Sequence, residues 1–414
     1  MTSTLDAAGP VTVWADRARD WTGRHGGDLV AWRRDLHAHP ELGFAEHRTT
    51  AGIVERLRAV GLRPQVLPPF PGQSTGTGVV CDLGDPSLGP TVLLRADIDA
   101  LPLADAKDVA YRSQHEGVCH ACGHDAHTAV LLGAAAVLAE GAGAGVGPLP
   151  GRVRLLFQPA EEQTPGGALG VVAAGLLDGV DQAYALHCDP RLEVGRVGLR
   201  EGPITAAADS VEVVVTGPGG HTSRPQLTVD VVHALGALIT EIPALLSRRV
   251  DPRAGLSLVW GAVEAGRAGN AIPRHGVLRG TLRVLDRTAW HAAEPLVREL
   301  VAGVVAPTGA HVELRYTHGV PPVVNHPRCV DRQRAGAVTA LGAEAVGPTA
   351  QSLGGEDFGW IAEQVPSALA RLGVASPGVP GGDLHQPSFD LDEAALPVGV
   401  RFTVATAVAA LTQP

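Results

Sequence analysis

The 414-residue sequence lacks any run of Lys and Arg residues, and its formal net charge is −10. A protein that binds nucleic acid needs a concentrated basic face to neutralise phosphates, so this distribution argues against a nucleic-acid partner. Charged residues make up only 18% of the chain and hydrophobic residues 45%, which is typical of a folded protein and excludes a mainly disordered one.

The first twenty residues also lack a basic start followed by an apolar core and a small-residue cleavage site, so no export signal is indicated. Long apolar runs are missing as well, because AVLLGAAAVLA ends at Glu140, well short of the length that spans a bilayer. We therefore expect a cytoplasmic protein that does not interact with a membrane.

Five cysteines are an odd number for so long a chain, which does not suit a disulfide framework. We expect them to be reduced and available as ligands. They are Cys81, Cys119, Cys122, Cys188 and Cys329.

The chain is longer than one hydrophobic core usually supports, so two domains are expected. A helical pattern runs from Leu29 to Val60, where Gly61 is a suitable end. Apolar β-rich runs then alternate with helical ones. They indicate an α/β domain with a mostly parallel sheet and helices on both faces.

A different order of elements begins after Pro203, where the pattern β-α-β-β-α-β predicts a ferredoxin-like sandwich. We expect residues 205–317 to form an inserted lid or dimerisation domain. The catalytic domain would then consist of residues 1–204 and 318–414. An exposed strand edge in the insert is a plausible dimer contact, so we predict a homodimer.

The stretch HACGHD places Cys122 and His124 on either side of one glycine, which suits a tight turn with both side chains in one cavity. A structural zinc clip normally needs two cysteine pairs, and only Cys119 and Cys122 have that spacing. Taken alone, the stretch leaves a metal site and incidental packing equally open.

Glu161 and Glu162 follow the apolar strand RVRLLFQP. Adjacent carboxylates at a buried strand end are costly unless a cation or a reaction uses them. The alternative is a solvated pair in a loop. Position favours the first interpretation, because ligand crevices in open α/β sheets lie at the carboxyl ends of strands.

Other strand ends carry ligand-type side chains too. His187 lies at the end of the apolar strand in ALHCDP, Asp97 and Asp99 lie in RADIDALP at the end of TVLLRA, and His385 lies in a polar loop near the C-terminus. A single histidine is more often a core or surface group than a ligand, but the joint placement predicts a metal site. The Cys, His and Glu donors of this site favour Zn²⁺, with Mn²⁺, Co²⁺ and Ni²⁺ as alternatives. The predicted ligands are Cys122, His124, Glu162, His187 and His385.

A series of motifs in this order resembles the amidohydrolase branch of the dinuclear-zinc metallopeptidases, from about Leu29 to the C-terminus. That group includes hippurate hydrolases, N-acyl-amino-acid amidohydrolases and indole-acetyl-amino-acid hydrolases. The motifs are LHAHPELGFAE, LLRADIDALP, HACGHDAHTA, FQPAEE, ALH, GPGGHTSRP, GNAIP and SLGGEDF.

The resemblance implies two divalent metal ions per chain, with Cys122 bridging them and His124, Glu162, His187 and His385 as the remaining ligands. It implies that Glu161 is the general base, since a glutamate beside a ligand glutamate can shuttle a proton. Asp99 would orient a ligand histidine, as carboxylates behind metal-bound imidazoles do.

In the insert, the resemblance implies that His221 donates a hydrogen bond to the tetrahedral oxyanion, either within one subunit or across a dimer interface. It also implies that Asn270 contacts the substrate. The residues alone indicate only a turn histidine and a turn asparagine. His37, His39 and His127 fall inside the motifs, but we expect packing, capping or contacts behind the ligands rather than metal binding.

Two departures from the motifs leave questions open. Cys119 stands where a methionine is expected. This second thiol leaves open whether ligand exchange or oxidation occurs near the metal turn. Arg224 replaces part of a small and acidic run, so the preferred substrate is open.

The resulting hypothesis is a metal-dependent amidohydrolase that cleaves N-acyl amino acids, by a metal-activated water, to a carboxylate and an amino acid. The alternatives are a dipeptidase or carboxypeptidase, a biosynthetic amino-acid deacetylase, and a catalytically silent metal-binding protein.

Overall fold

A computed structural model describes residues 9–143, 147–378 and 382–412. Its helices are α1 (Pro10–Ala38), α2 (His47–Ala59), α3 (His124–Gly143), α4 (Gly167–Ala173), α5 (Val231–Arg249), α6 (Arg287–Val305), α7 (Pro327–Leu341), α8 (Phe358–Ala362) and α9 (Ala395–Thr412).

The strands, in chain order, are β1 (Gln65–Val66), β2 (Val79–Gly84), β3 (Thr91–Asp97), β4 (Arg152–Gln158), β5 (Gln182–Glu193), β6 (Val197–Leu199), β7 (Gly202–Pro203), β8 (Ala207–Thr216), β9 (Gly220–His221), β10 (Ser257–Ala265), β11 (Ala271–Ile272), β12 (His275–Val284), β13 (His311–Val320), β14 (Val324–Asn325), β15 (Val346–Pro348) and β16 (Ser367–Ala375).

The chain divides into two compact units. Unit 1 comprises Met1–Gly202, Asn325–Ala350 and Trp360–Pro414, and unit 2 comprises Pro203–Val324 and Gln351–Gly359. Unit 2 therefore interrupts unit 1 in the sequence.

Unit 1 contains a mixed sheet with the strand order β1-β2-β4-β3-β5-β16-β6-β15. Its central strands β4, β3, β5 and β16 are parallel to their neighbours in that group. Every residue of β3 is buried, as expected for a strand in the middle of a covered sheet. The predicted α/β architecture is confirmed.

Apolar helices cover this sheet. The helix α9 contacts α1, α3 and α7, α1 also contacts α3 and α7, and both α3 and α9 contact β3 and β5. Most of α9 is buried, from Ala395 through Leu411. Since a fully buried Leu or Val side chain contributes about 1.5 to 3 kcal/mol, this layer holds the ends of the parallel strands firmly in place.

The helical pattern from Leu29 to Val60 is not one helix. It is broken between Ala38, where α1 ends, and His47, where α2 begins. Pro40 lies in the break and cannot continue a helix, so the periodicity joins two helices across a turn.

Unit 2 is the predicted ferredoxin-like sandwich, with the element order β8, α5, β10, β12, α6, β13 and the sheet order β10-β12-β8-β13. All three pairings of its sheet are antiparallel. The strand β10 lies at one edge of this sheet, where much of it is exposed.

Two helices, α5 and α9, are long and apolar enough to span a membrane by length and composition alone. In α9, 72% of the 18-residue apolar segment is buried inside the protein. In α5 the buried residues lie on one helical face, from Val231 to Leu246, as in a helix packed on a sheet.

Candidate metal centre

The turn before α3 brings Cys122 and His124 into one cavity. Gly123 lies between them with φ +89°, and a Cβ atom there would lie 2.9 Å from Sγ of Cys188. Both the backbone angle and the lack of space require glycine at this position.

The ends of β3 and β4 supply the carboxylates. Asp99 follows β3, and the turn after β4 carries Glu161 and Glu162. The Glu162 N–H donates to Oδ2 of Asp99 at 3.0 Å, so the two strand ends are joined directly.

His187 and His385 approach from β5 and from the loop before α9. β5 continues to Glu193, so His187 does not end the strand, but the pairing of β5 with β3 stops at Ala185. His187 therefore lies beyond the part of β5 that pairs with β3, while it still pairs with Arg371 of β16. The His385 N–H donates to the Ala121 carbonyl at 2.8 Å, which ties its loop to the turn before α3.

The predicted residues of unit 1 come together at these strand ends. Sγ of Cys122 lies 3.5 Å from Nε2 of His187, and Oε1 of Glu162 lies 3.2 Å from Nε2 of His385. Nε2 of His124 lies 3.8 Å from Oε1 of Glu162 and 3.9 Å from Oε2 of Glu161. The ligand atoms of Cys122, His124 and His187 lie within 4.8 Å of one another, as do those of Cys122, Glu162 and His385.

Hydrogen bonds orient two of the imidazoles. Nδ1 of His124 lies 3.0 Å from the Asp99 carbonyl and 3.2 Å from Asp99 Oδ1, and Nδ1 of His187 lies 2.7 Å from the Cys188 carbonyl. Each Nδ1–H donates to its oxygen partner, which leaves the Nε2 lone pair directed into the cluster. This is the arrangement expected of metal-binding histidines.

The electrostatics of the cluster favour a cation. Burial alone would lower the pKa of His124, but the charges of Asp97 and Cys122 raise it well above its usual value. Burial and then Arg371 lower the pKa of His187 well below its usual range, so its imidazole is neutral, the form that binds metals. Burial and then Glu162 raise the pKa of the Cys122 thiol.

The donor set fits a divalent metal ion. Nε2 of His124 is buried and lacks a hydrogen-bond partner among the described residues. An orphaned buried nitrogen is costly unless it binds something. One thiolate, several imidazoles and carboxylates are the donors that zinc and similar ions prefer.

His127 was expected to pack, cap or contact the ligands from behind, and the sequence did not identify its specific partner, Asp97. Oδ1 of Asp97 lies 2.6 Å from Nδ1 of His127, whose Nε2 accepts the N–H of Cys188 at 2.9 Å. His127 thus fixes the backbone next to His187. The signal was available, because His127 lies one helical turn after His124 and therefore on the same side of α3.

Cys119 belongs to a second buried cluster. Its Sγ lies 3.6 Å from Nζ of Lys107, which also contacts Oδ1 of Asp105 at 2.9 Å. His37 lies 2.7 Å from Asp125 and 3.3 Å from Asp105 in the same network. The Sγ of Cys119 is thus grouped with the ligand atoms of His37 and Asp105.

His221 and Asn270 lie in unit 2 and close to each other. β9 pairs with β11 so that His221 is opposite Ala271, and the Thr222 N–H donates to the Asn270 carbonyl at 3.3 Å. Nδ1 of His221 accepts the Ser223 N–H at 3.0 Å. The proton therefore resides on Nε2, and the exposed ring has a donor available.

In unit 1, a buried Cys/His/Glu cluster lies at the ends of parallel strands, and the sequence of this unit is interrupted by the ferredoxin-like unit 2. These features define the protein as a member of the metal-dependent hydrolases. The chain belongs to Peptidase family M20/M25/M40, which matches residues 93–409. The resemblance inferred from the motifs is confirmed, and the protein is an enzyme that acts on amide bonds.

Among its relatives, a Geobacillus stearothermophilus protein named N-acyl-L-amino acid amidohydrolase is 37% identical over 322 residues, covering 78% of this chain and 84% of that protein. A Rhodococcus jostii (strain RHA1) protein named as a glutamate–cysteine ligase is 49% identical over 377 residues, covering 91% of this chain. The chain spans only 46% of that second protein's length, so the ligase name describes a much longer polypeptide.

Solved structures include the YxeP protein of Bacillus subtilis, described as a dinuclear metal binding peptidase of the M20 family. Its TM-score is 0.81 at 32% identity, with 95% of this chain and 99% of that chain covered. The fold and the family are therefore those of dinuclear metallopeptidases.

Proposed function

We propose that the protein hydrolyses the amide bond of N-acyl amino acids and releases a carboxylate and an amino acid. The observation that carries this proposal is the pair of carboxylates on one turn, Glu161 and Glu162, whose oxygens lie 3.9 and 3.8 Å from Nε2 of His124. The amidohydrolase name of the Geobacillus relative supports the choice of substrate.

The residues that would hold two divalent ions, with zinc preferred and manganese, cobalt or nickel as alternatives, are Cys122 as the bridge together with His124, Glu162, His187 and His385. When bound, such ions polarise the scissile carbonyl and lower the pKa of water. Asp99 orients the imidazole of His124, and its other oxygen fixes the backbone of Glu162.

Glu161 is the proposed general base. Its carboxylate accepts a proton from the water molecule as that water attacks the amide carbon. It then returns the proton to the departing nitrogen, so that the leaving group is a neutral amine. The Glu161 side chain is only 10% exposed, which limits exchange of that proton with bulk water.

His221 is the proposed donor to the oxyanion of the tetrahedral intermediate, through its protonated Nε2, with Asn270 as a substrate contact beside it. Donors aimed at developing negative charge commonly contribute several kcal/mol to catalysis, about 3 to 4 kcal/mol for one group. We further propose that the protein is a cytoplasmic homodimer joined through unit 2, with β10 as the contact strand.

A substrate panel and one isosteric variant test this function. The wild-type enzyme loaded with Zn²⁺, Mn²⁺ or Co²⁺ is assayed against N-acetyl amino acids, N-benzoyl amino acids and dipeptides, with release of the free amino acid as the readout. We expect turnover of the N-acyl substrates. Preference for dipeptides would instead indicate a dipeptidase or carboxypeptidase.

Glu161→Gln preserves shape but removes the base. We expect it to retain bound metal and to lose roughly 10²- to 10⁴-fold in kcat, the usual range for a general base. Wild-type turnover in this variant would exclude Glu161 from that role.

A further inference from the structure

The motif LHAHPELGFAE contributes no ligand to the metal cluster, yet part of it lies against the turn that carries the carboxylate pair. The segment from Glu41 to Glu46 contacts the turn from Pro159 to Gln163. Both segments belong to unit 1.

Glu46 makes the central contact. Its side chain is fully buried, and its Oε1 accepts the N–H of Ala160 at 2.8 Å. The Glu46 carbonyl in turn accepts the Thr50 N–H at 2.9 Å, in the first turn of α2. The carboxylate is therefore attached to a rigid helix and reaches directly to the residue before Glu161.

Ala160 needs such a contact because its backbone is left-handed, with φ +53°. This conformation costs a residue other than glycine roughly 1 to 2 kcal/mol, so surrounding interactions must stabilise it. The Glu46 hydrogen bond stabilises the N–H side, and the Ala160 carbonyl accepts the Gly167 N–H at 3.0 Å on the other side. The direction of the chain at Ala160 determines where the next two side chains point.

Gly43 holds the far end of the turn. Its carbonyl accepts Nε2 of Gln163 at 2.8 Å. A Cβ at Gly43 would lie 3.0 Å from Cα of Ala160 and 2.9 Å from Nε2 of Gln163, so any larger residue would displace the Gln163 side chain and push on the backbone at Ala160.

Glu41 connects the same segment to the end of β3. Its carbonyl accepts the Ala100 N–H at 2.8 Å, immediately after Asp99. Its carboxylate accepts the N–H groups of Arg48 and Thr49, at 2.9 and 2.8 Å, and so anchors the segment to the N-terminal turn of α2. The strand end and the carboxylate turn therefore share one support.

We propose that Glu46 is a positioning residue that acts through Ala160. Its carboxylate fixes the left-handed turn and thereby the aim of both Glu161 and Glu162, and Gly43 keeps the turn in close contact. The inference rests on the proposed function for the role of Glu161, and on the proposed ligand set for the role of Glu162.

Two variants separate the hydrogen bond from the charge. Glu46→Ala removes the acceptor, and we expect kcat to fall roughly 10²-fold while KM changes less than about threefold, because a displacement of about 1 Å costs this much in rate. Glu46→Gln retains an oxygen for the Ala160 N–H, and we expect its kcat to stay within about threefold of wild type.

Metal binding gives a readout that does not need turnover. The metal-free protein is titrated with Co²⁺, and the visible absorption bands, which report ligand geometry, are compared with those of wild type. We expect a shifted spectrum and roughly 10-fold weaker Zn²⁺ binding for Glu46→Ala, since Glu162 is displaced, and wild-type behaviour for Glu46→Gln.

Glu140→Ala is a matched control. It removes a carboxylate acceptor from Nε1 of Trp21, which donates to Glu140 at 3.0 Å. Glu140 lies sixteen residues beyond His124 on α3, which is about 24 Å along the helix. We expect this variant to leave kcat, KM and the cobalt spectrum unchanged.

Gly43→Ala provides a second route to the same turn. We expect it to lower kcat, and the double variant with Glu46→Ala to be little worse than the worse single variant, because both act on one element. A cobalt spectrum and zinc affinity of Glu46→Ala identical to wild type would overturn the inference. Inactivity of wild type towards every N-acyl substrate would overturn the proposed function instead, and the cobalt experiment would still decide the role of Glu46.

Discussion

The carboxylate of Asp99 lies 3.2 Å from Nδ1 of His124 through one oxygen, and its other oxygen accepts the N–H of Glu162 at 3.0 Å. One side chain at the end of β3 therefore orients a proposed ligand from α3 and the backbone of a proposed ligand from the β4 turn. The two contacts make the ligand geometry depend on a group that does not itself need to touch a metal.

Asp99→Ala removes both contacts. We expect Zn²⁺ affinity to fall by roughly 10- to 100-fold, the usual effect of losing a carboxylate behind a metal-bound histidine. Chelator competition measures this value directly. Asp82→Ala, which removes a surface partner of Arg154, serves as the control and should leave the affinity unchanged. Equal zinc affinity in wild type and Asp99→Ala would contradict the assignment.

Metal removal should lower stability as well as activity. Without a cation, the carboxylates of Glu161 and Glu162 repel each other at a mostly buried site. We expect Zn²⁺ at one hundred times its Kd to raise the free energy of unfolding by about 2.7 kcal/mol, seen as a higher melting temperature by calorimetry. In a Cys122→Ser/His385→Ala variant the zinc-dependent increase should disappear, whereas an unchanged increase would locate the binding elsewhere.

The raised pKa of His37 predicts that the protein loses stability in alkaline solution. Burial alone would lower its pKa, but the charge of Asp125 and hydrogen bonds to Asp105 and Asp125 raise it to about 10. A raised pKa means that the stabilisation is complete below about pH 6.5 and is lost as pH rises through about 10. In His37→Gln, Asp125 keeps Arg33 and Asp105 keeps Lys107 as cationic partners. We therefore expect a loss at neutral pH that is smaller than the roughly 3 to 5 kcal/mol typical of a buried charge left without any partner.

Thermal unfolding of His37→Gln and wild type from pH 6 to 10.5 measures this effect. We expect the difference between their unfolding free energies to narrow as the pH approaches and passes 10. A difference that stays constant over the whole range would show that the imidazolium charge contributes nothing.

The proposed dimer predicts that β10 tolerates charge poorly. Val259 and Val263 are 65% and 57% exposed on this edge strand. Lysine at exposed edge positions opposes strand pairing, so Val259→Lys/Val263→Lys should be monomeric at micromolar concentration. Light scattering coupled to size exclusion gives the mass. A wild-type monomer, or a dimer that survives both substitutions, would rule out this contact.

The strand ends were the part of the site most easily predicted from sequence. Glu162 follows the apolar strand β4 and His187 lies in the buried part of β5, and the carboxyl ends of parallel strands meet at one edge. Cys122 lies on the turn before α3, so its prediction came from the spacing in HACGHD. Periodicity also indicated the ferredoxin-like insert, because half-buried antiparallel strands alternate. It failed between Ala38 and His47, where apolar spacing continued across a proline turn.

The supporting contacts were hidden because they are long-range. Glu46 and Ala160 are 114 residues apart, and neither has a local pattern that predicts the hydrogen bond between them. Asn270 and His221 likewise had no distinguishing signal apart from the family motifs. Tertiary packing determines where a backbone donor lies beside a buried carboxylate. Hydrophobic periodicity and secondary-structure propensity are local properties of the sequence, so they do not predict such a contact.

Arg33 on α1 contacts Asp125 at the start of α3 and both Asp390 and Glu393 ahead of α9, at 2.8, 2.8 and 3.3 Å. One buried guanidinium thus joins α1 to segments that lie 92, 357 and 360 residues further along the sequence. These contacts can form only after the segment with Asp390 and Glu393 has been synthesised, and the same holds for the approach of His385 to the turn before α3.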